Sequence, residues 1–330
     1  MLVTRTDSAL SLSSAIPVLN EANWRSELVK DTRSAATKRA YVRDVRQFFM
    51  TMWGVEPSLE MIKQFFALDQ RTATHIILDY KARLMNADLK ANTVNRYLSA
   101  IKYLVEWGRR LDLCQFVYDS AVIKKEKVKP YRDTTGVDVE TYNQVFDIID
   151  IATPRGKRDY ALFLLLWTNV LRRGEIAKLL VRDFDFGSSK LRVFGKGKGV
   201  EFEWVNLPAP TAEAIQDWLD CRGKLKPDDP LFIALDFYSY GHQLTGDGVY
   251  AIVTRICSRA GISKHMTPHK IRHSGITDSL EVSNGDYRKV QSLSRHADPR
   301  TVMIYDDNRK QYQAELSSKL AQRVGKRKSL

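Results

Sequence analysis

The chain has 330 residues, 44% of them hydrophobic, with 52 Lys and Arg against 39 Asp and Glu, a formal charge of +13. That length and apolar content fit two domains with packed cores, and the greasiest run, YALFLLLW (160–167), is far too short for a membrane span. Cys114, Cys221 and Cys257 are scattered without C-x-x-C spacing, which argues against a disulfide framework or a structural zinc and fits a reduced cytoplasmic protein. The N-terminus lacks a basic segment followed by an apolar one, so secretion is not expected. So large a basic excess favours a polyanionic partner, since every phosphate neutralised releases condensed counterions. Composition does not separate DNA, RNA and an anionic membrane face, but no basic amphipathic helix with an aromatic edge stands out, which ranks the membrane last.

Residues 1–21 are Ser-rich and predicted to form a poorly ordered arm. Residues 22–120 are predicted to form a helical domain. In TKRAYVRDVRQFFMTMWG, Tyr41, Val45, Phe48, Phe49 and Met52 recur at helical spacing, with Lys38, Arg39, Arg43 and Arg46 off that stripe. NTVNRYLSAIKYLVEWGRR repeats the pattern, with Val94, Leu98, Ile101 and Val105 on one side and Arg96 and Lys102 elsewhere; Asn92 or Thr93 is the expected N-cap. Each basic face alone could be a solvated surface; two in so basic a chain are candidates for a DNA-facing one. Residues 121–136 have the composition of a linker, carrying Lys124, Lys125, Lys127 and Lys129 around Pro130. Such a tether would let two basic domains close around a duplex, or simply keep them soluble.

Residues 137–330 are predicted to form a second domain, mainly helical with a small antiparallel sheet. Helices are expected at DVETYNQVFDIIDIA, KRDYALFLLLWTNVL, TAEAIQDWLDCRG, DGVYAIVTRICSRAG, TPHKIRHSGITDSLEV, DYRKVQSLSRH and QYQAELSSKLAQRV. KLRVF and EFEWVNL have strand character, joined by the turn GKGKG (195–199). Four pieces carry chemistry. NVLRRGEIAKLL places Arg172 before a helix with Glu175 one turn on. GKGKG lifts Lys196 and Lys198. TPHKIRH sets Thr267 as N-cap and Pro268 as first helical residue, so that His269 and Arg272 share a face. LSRH leads to His296, with Tyr305 nine residues beyond it. Any one of these has an ordinary structural explanation; GKGKG in particular lacks the spacing of a nucleotide-binding phosphate loop.

Taken in order, Arg, Lys, His-x-x-Arg, His and Tyr resemble the tyrosine recombinases, the phage integrase family. LRRGEI (171–176) resembles the family's Leu-Arg-x-x-Glu segment, GKG (195–197) its β-hairpin lysine, HKIRH (269–273) its His-x-x-Arg-His, and LSRH followed by Tyr305 its second histidine and nucleophile. Two glycines usual in the family are replaced, by Val170 and Arg295, and Asp307 stands where a histidine is common. The resemblance implies a helical core-binding (SAM-like) domain followed by an α+β catalytic domain. It also implies a homotetramer on paired inverted-repeat sites in double-stranded DNA, monomer or dimer without DNA, exchanging strands through a Holliday junction. The last helix, with Tyr312, Leu316, Leu320 and Val324 on one side, would dock into a neighbouring subunit or pack on its own domain.

The chemistry these residues suit is phosphoryl transfer. Arg172 and Arg272 present forked donors that match a phosphate and the charge that builds on it. Tyr305 is the candidate nucleophile, with nearby cations expected to favour its phenolate. His269 is the candidate base, His296 a donor to a phosphoryl oxygen, and Lys196 or Lys198 the acid for the departing 5′ oxygen. Glu175 would hold a cationic neighbour. No metal or other cofactor is expected, because Arg and Lys supply the positive charge. Two other readings suit the same residues: a type IB topoisomerase, and a DNA-binding regulator that has lost cleavage through Val170 or Arg295.

Overall fold

A computed structural model of the chain describes residues 18–32, 34–128, 136–195, 202–305 and 312–324. It separates into two units, Met1–Lys129 and Pro130–Leu330, each with its own core.

The first unit is built from α1 (Trp24–Leu28), α2 (Ala35–Trp53), α3 (Leu59–Phe66), α4 (Gln70–Asn86) and α5 (Ala91–Arg110). Short polar side chains start three of them. Ser34, Ser58 and Asp69 accept hydrogen bonds from backbone N–H groups of the first turns of α2, α3 and α4. The stripes expected on α2 and α5 are the faces that pack. Val45, Phe48, Phe49, Val94, Leu98, Ile101 and Val105 are buried, with Tyr41 and Met52 packed at the edge. α5 begins earlier than expected. The carbonyl of Lys90 closes its first turn by accepting from the N–H of Thr93 at 2.7 Å and of Val94 at 3.1 Å, so Asn92 and Thr93 lie inside the helix and neither caps it.

The segment from 121, which has a linker's composition, continues the first unit as far as 128. Ile123 is buried in its core. Asn95 and Glu126 exchange two hydrogen bonds, of 2.9 and 2.7 Å, and Lys81 Nζ donates to the carbonyl of Lys124 at 2.7 Å. The remainder of the expected linker, including Lys129, lies outside the described residues, as does the N-terminal arm up to residue 17.

The second unit runs α6 (Val139–Asp147), α7 (Pro154–Thr168), α8 (Arg173–Ile176), β1 (Phe184–Asp185), β2 (Lys190–Phe194), β3 (Phe202–Asn206), α9 (Ala209–Asp220), α10 (Gly246–Arg259), α11 (Pro268–Val282), α12 (Tyr287–Ser294), α13 (Arg300–Met303) and α14 (Tyr312–Val324). It is thus mainly α with one small antiparallel sheet, in the order β1-β2-β3, with Leu191 opposite Val205. β1, only two residues long, was not foreseen; it extends the hairpin by pairing Phe184 with Leu191.

The run YALFLLLW is the centre of this unit. Ala161, Leu162, Phe163, Leu165 and Leu166 of α7 are buried on several sides, as expected of a core helix that is apolar nearly all round. Among the described residues no helix is long and apolar enough to cross a membrane.

α11 lies against the end of α7 at Gly275, where a Cβ would stand 2.7 Å from the carbonyl oxygen of Trp167 and 2.9 Å from Val170 Cγ1. That close approach sets the distance between α11, which carries Arg272, and the end of α7, from which the chain runs on to Arg172. Gly275→Ala is expected to destabilise the protein by about 1–3 kcal/mol through overpacking. A lowered midpoint in denaturant melts would show it, and an unchanged midpoint would mean the helices can separate freely.

Candidate active site

Arg172 leaves α7 through a bend. Val170 takes φ 43°, a left-handed angle rare for a β-branched residue, and Arg172 becomes the N-cap of α8. One turn on, Glu175 reaches back. Its Oε2 accepts from the backbone N–H of Arg172 at 2.8 Å and its Oε1 from Arg172 Nη1 at 2.7 Å. Glu175 is thus paired with Arg172, one of its two cationic neighbours.

Arg272 sits one turn into α11, after Thr267 and Pro268 start the helix as expected; Thr267 Oγ1 accepts from the N–H of Lys270. The Arg272 side chain is buried. Its Nη1 donates to the carbonyl of Val170 and its Nη2 to that of Ser294. Burial, and then the charge of Arg172, push the guanidinium down to about 9, still protonated at neutral pH. Nη2 also lies 3.4 Å from His296 Nε2.

His296 follows α12 at a second left-handed residue, Arg295, with φ 55° and ψ 41°. Val170 and Arg295 are the two positions where the family pattern has glycine, and both keep the glycine-like angle. His296 Nδ1 lies 3.0 Å from Ser294 Oγ. Burial first, then Arg272 and Arg172, lower its imidazole to about 4, so it is neutral at pH 7. If Arg272 donates to Nε2, the ring proton is on Nδ1 and faces Ser294.

α13 returns the chain so that Tyr305 packs between the histidines. Its ring centroid is 4.4 Å from that of His273 and 5.8 Å from that of His296. The ring is buried beside Val170, Ile276, Leu280, Val290 and Val302. Arg272 and Arg172 both pull the phenol toward ionisation, as expected from the sequence. Burial outweighs them and holds the group above its ordinary value of 10.0, so the net shift runs against the one the cations favour and the phenol is the resting form.

A cleft of about 390 Å³ opens beside these groups, lined by Arg172, Arg173, Tyr250, Thr267, Pro268, His269 and Arg272. Arg172, His269 and Arg272 thus face one space, with His296 and Tyr305 bound to the same cluster through Arg272 and ring contacts. Lys196 and Lys198 lie outside the described residues; β2 and β3, which flank them in sequence, pair as far as Phe194 and Phe202.

Sequence reasoning missed several members. His273 touches Tyr305, although its place in HKIRH was a signal. Arg173 stands over the ring of Tyr250, whose hydroxyl is 3.1 Å from His265 Nε2; nothing in the spacing of these residues announced it. Arg295 binds Glu175 across 120 positions. Among the described residues no cluster of His, Cys, Asp or Glu is arranged to hold a metal ion.

On the first unit, Arg43 and Arg96 converge on buried Asp44, at 3.2 and 3.3 Å. Arg46 pairs with Glu56, and Lys102 with Glu106 at 3.7 Å. Arg39 on α2 and Lys124, Lys125 and Lys127 beyond α5 are exposed, while Lys38 is half-buried.

Residues 137–312 match the model of the phage integrase family. A tyrosine recombinase of Synechocystis sp. is 43% identical over 299 residues, 91% of this chain and 95% of that protein. A tyrosine recombinase of Synechococcus elongatus is 39% identical over 95% of this chain and 97% of that one. Among solved structures, the XerH site-specific recombinase bound to its palindromic difH substrate, a post-cleavage complex, is 21% identical with a TM-score of 0.64, over 86% of this chain and 79% of that chain. The second unit is the part of the chain that the family's model matches, and it brings Arg172, His269 and Arg272 to one cleft, with His296 and Tyr305 packed beside them. The chain belongs to the phage integrase family and is a tyrosine-type site-specific recombinase.

The depressed imidazole of His296 has a consequence for stability. Its folded value, about 4, lies below the ordinary 6.5, so its contribution is complete above 6.5 and is lost as pH falls toward 4. The thermal midpoint of the wild type is expected to fall between about pH 7 and 5 more steeply than that of His296→Asn, as followed by circular dichroism. Parallel curves would mean that the imidazole is not held neutral.

Proposed function

We propose that the chain binds duplex DNA and breaks one strand by attack of Tyr305 on a phosphodiester. The observation that supports this reading is that Arg172, His269 and Arg272 line one cleft, with His296 beside Arg272 and Tyr305 packed against His296 and His273. The phenol oxygen forms a bond to phosphorus as the bond to the 5′ oxygen breaks, leaving a 3′-phosphotyrosine and a free 5′-hydroxyl. The phenol proton passes to His269, and Lys196, with Lys198 as the fallback, protonates the departing oxygen. Arg172 and Arg272 neutralise the charge that grows on the phosphoryl oxygens. Once phosphate displaces Arg272 from Nε2, His296 takes the other tautomer, accepting at Nδ1 from the Ser294 hydroxyl and donating from Nε2 to one of those oxygens.

The bond energy stays in the phosphotyrosine, so the 5′-hydroxyl of another strand restores a phosphodiester by the reverse path. Two such exchanges, through a Holliday junction between paired inverted-repeat sites held by four protomers, give recombination. DNA as partner is supported by the XerH site-specific recombinase, whose structures are complexes with difH substrate. Leu320 of α14 is exposed in the single chain, as it would be if a neighbouring subunit covers that helix in the tetramer. The domain plan behind this reading is a DNA-binding helical domain over 22–120 and a catalytic domain over 137–330, acting in the nucleoid.

A duplex nicked close to the cleavage position traps the adduct, because the short fragment diffuses away. The wild type is expected to form a covalent protein–DNA species on it. Tyr305→Phe abolishes the species while leaving DNA binding intact, and Arg172→Ala slows it by about a hundredfold or more. No adduct from the wild type would leave a binding protein, and relaxation of supercoils without exchange between sites would leave a topoisomerase.

For the first unit, Arg39→Ala is expected to weaken binding to all duplexes alike and to reduce the salt slope of log K by about 1. Titrations at several salt concentrations measure it. A loss confined to one DNA sequence would instead assign that residue to base recognition.

A further inference from the structure

Arg295 stands at a position built for glycine. Its φ of 55° and ψ of 41° are angles glycine adopts freely and other residues adopt at a cost. The side chain is nonetheless buried, 7% exposed, and its Nη2 donates to Glu175 Oε2 at 2.8 Å. Nη1 lies 3.4 Å from the carbonyls of Asn169 and Leu293, and Nε is 3.9 Å from a carboxylate oxygen of Glu203. Glu175 is thus divided between two guanidiniums: Oε1 takes Arg172 and Oε2 takes Arg295.

Without Arg295, the buried carboxylate would have Arg172 as its nearest cation. Pulling Arg172 from it toward a phosphate would then strand an anion in a dry site, which is costly. With Arg295 in place the anion stays neutralised while Arg172 moves. Arg172, Arg272 and Arg295 against Glu175 and Glu203 also keep one positive charge unbalanced where a glycine would leave none. That surplus is matched by a phosphodiester gaining negative charge as it reacts. Arg295 faces Glu175 and is almost shut off from solvent, so it acts through the carboxylate and not on the DNA.

We propose that Arg295 is a positioning residue for strand cleavage: it satisfies Glu175 so that Arg172 is released to the scissile phosphate. This rests on the strand-cleavage reading above. The decisive measurement is the single-turnover rate of covalent adduct formation on the nicked duplex, with the full chain at saturating concentration and affinity measured separately by mobility shift. Arg295→Gly, which suits the backbone angle, is expected to slow adduct formation roughly tenfold to a hundredfold, the range for losing one contact to a charged group. Its Kd should stay within about threefold of the wild type, since the phosphates bound outside the cleft dominate affinity. Arg295→Lys should recover most of the rate. In a Glu175→Gln background, where no anion needs satisfying, Arg295→Gly should cause little further loss.

Three results would overturn the proposal: Arg295→Gly cleaving as fast as the wild type, losing affinity by the same factor as rate, or slowing cleavage equally in the Glu175→Gln background. If Arg295→Gly fails to fold by circular dichroism, Arg295→Gln, which keeps the length and drops the charge, takes its place in the same cycle with the same outcomes. A wild type that forms no adduct at all overturns the cleavage reading itself, a result distinct from an active wild type with an equally active Arg295→Gly.

Discussion

Arg272 is a cation buried where water cannot reach it, and the catalytic unit is arranged to make that tolerable. A buried guanidinium needs acceptors for its donors. Two of them here are main-chain carbonyls, of Val170 at the end of α7 and Ser294 at the end of α12. Each carbonyl sits at a left-handed bend, one at Val170 itself and one between Ser294 and Arg295. Both bends are kept without glycine. Val170 tolerates its angle because its side chain is buried with Ile276, Leu280, Val302 and Tyr305, so packing and hydrogen bonding together over-determine a conformation the residue would otherwise avoid. The same two bends aim Arg172 and His296, which follow them in the chain. A single buried side chain therefore fixes the relation between three elements far apart in sequence.

The electrostatics of the free site are those of a receptor awaiting an anion. Arginines crowd it, His296 is held neutral, and burial keeps the Tyr305 phenol protonated despite two nearby guanidiniums. On the proposed mechanism this is a safeguard as well as a cost. A nucleophile that is neutral and nearly closed to solvent does not react with stray phosphates. The duplex must bring its phosphodiester to Arg172 and Arg272 and a base must take the phenol proton before attack begins. Binding and chemistry are then coupled through the same groups, since the phosphate that completes the charge balance is also the reacting centre.

Much of this was legible in the sequence because its signals are local. The stripe Val45, Phe48, Phe49 and the stripe Val94, Leu98, Ile101, Val105 each name a buried face, and Thr267-Pro268 announces the start of α11. The motif residues Arg172, His269, Arg272, His296 and Tyr305 were identifiable by order and spacing. What spacing does not carry is environment. The sign of the Tyr305 shift depends on how deeply the ring is buried, and cations in the sequence point the other way. Departures from a pattern were equally mute: Val170 and Arg295 left open whether the glycine angles survive, and only the backbone answers. β1 is too short for any periodicity, and the start of α5 was set by the carbonyl of Lys90 over the more usual capping side chains nearby.

The pairing of Glu175 with two arginines is one instance of a device that recurs in the chain. Asp44, also buried, takes Arg43 and Arg96, and Asp159 takes Arg158 at 2.6 Å and Arg255 at 3.6 Å. The three differ in how well the anion is served. At Asp159 burial prevails and the carboxyl is raised; one arginine is close and the other distant. At Glu175 burial opposes ionisation as well, but Arg295, the backbone N–H of Arg172 and the Arg172 guanidinium prevail and lower it. A carboxylate so well served keeps a close cation when one partner leaves, whereas one with a single close arginine does not. That difference suits Asp159 to hold the core of α7 in place and Glu175 to lend an arginine to a passing phosphate.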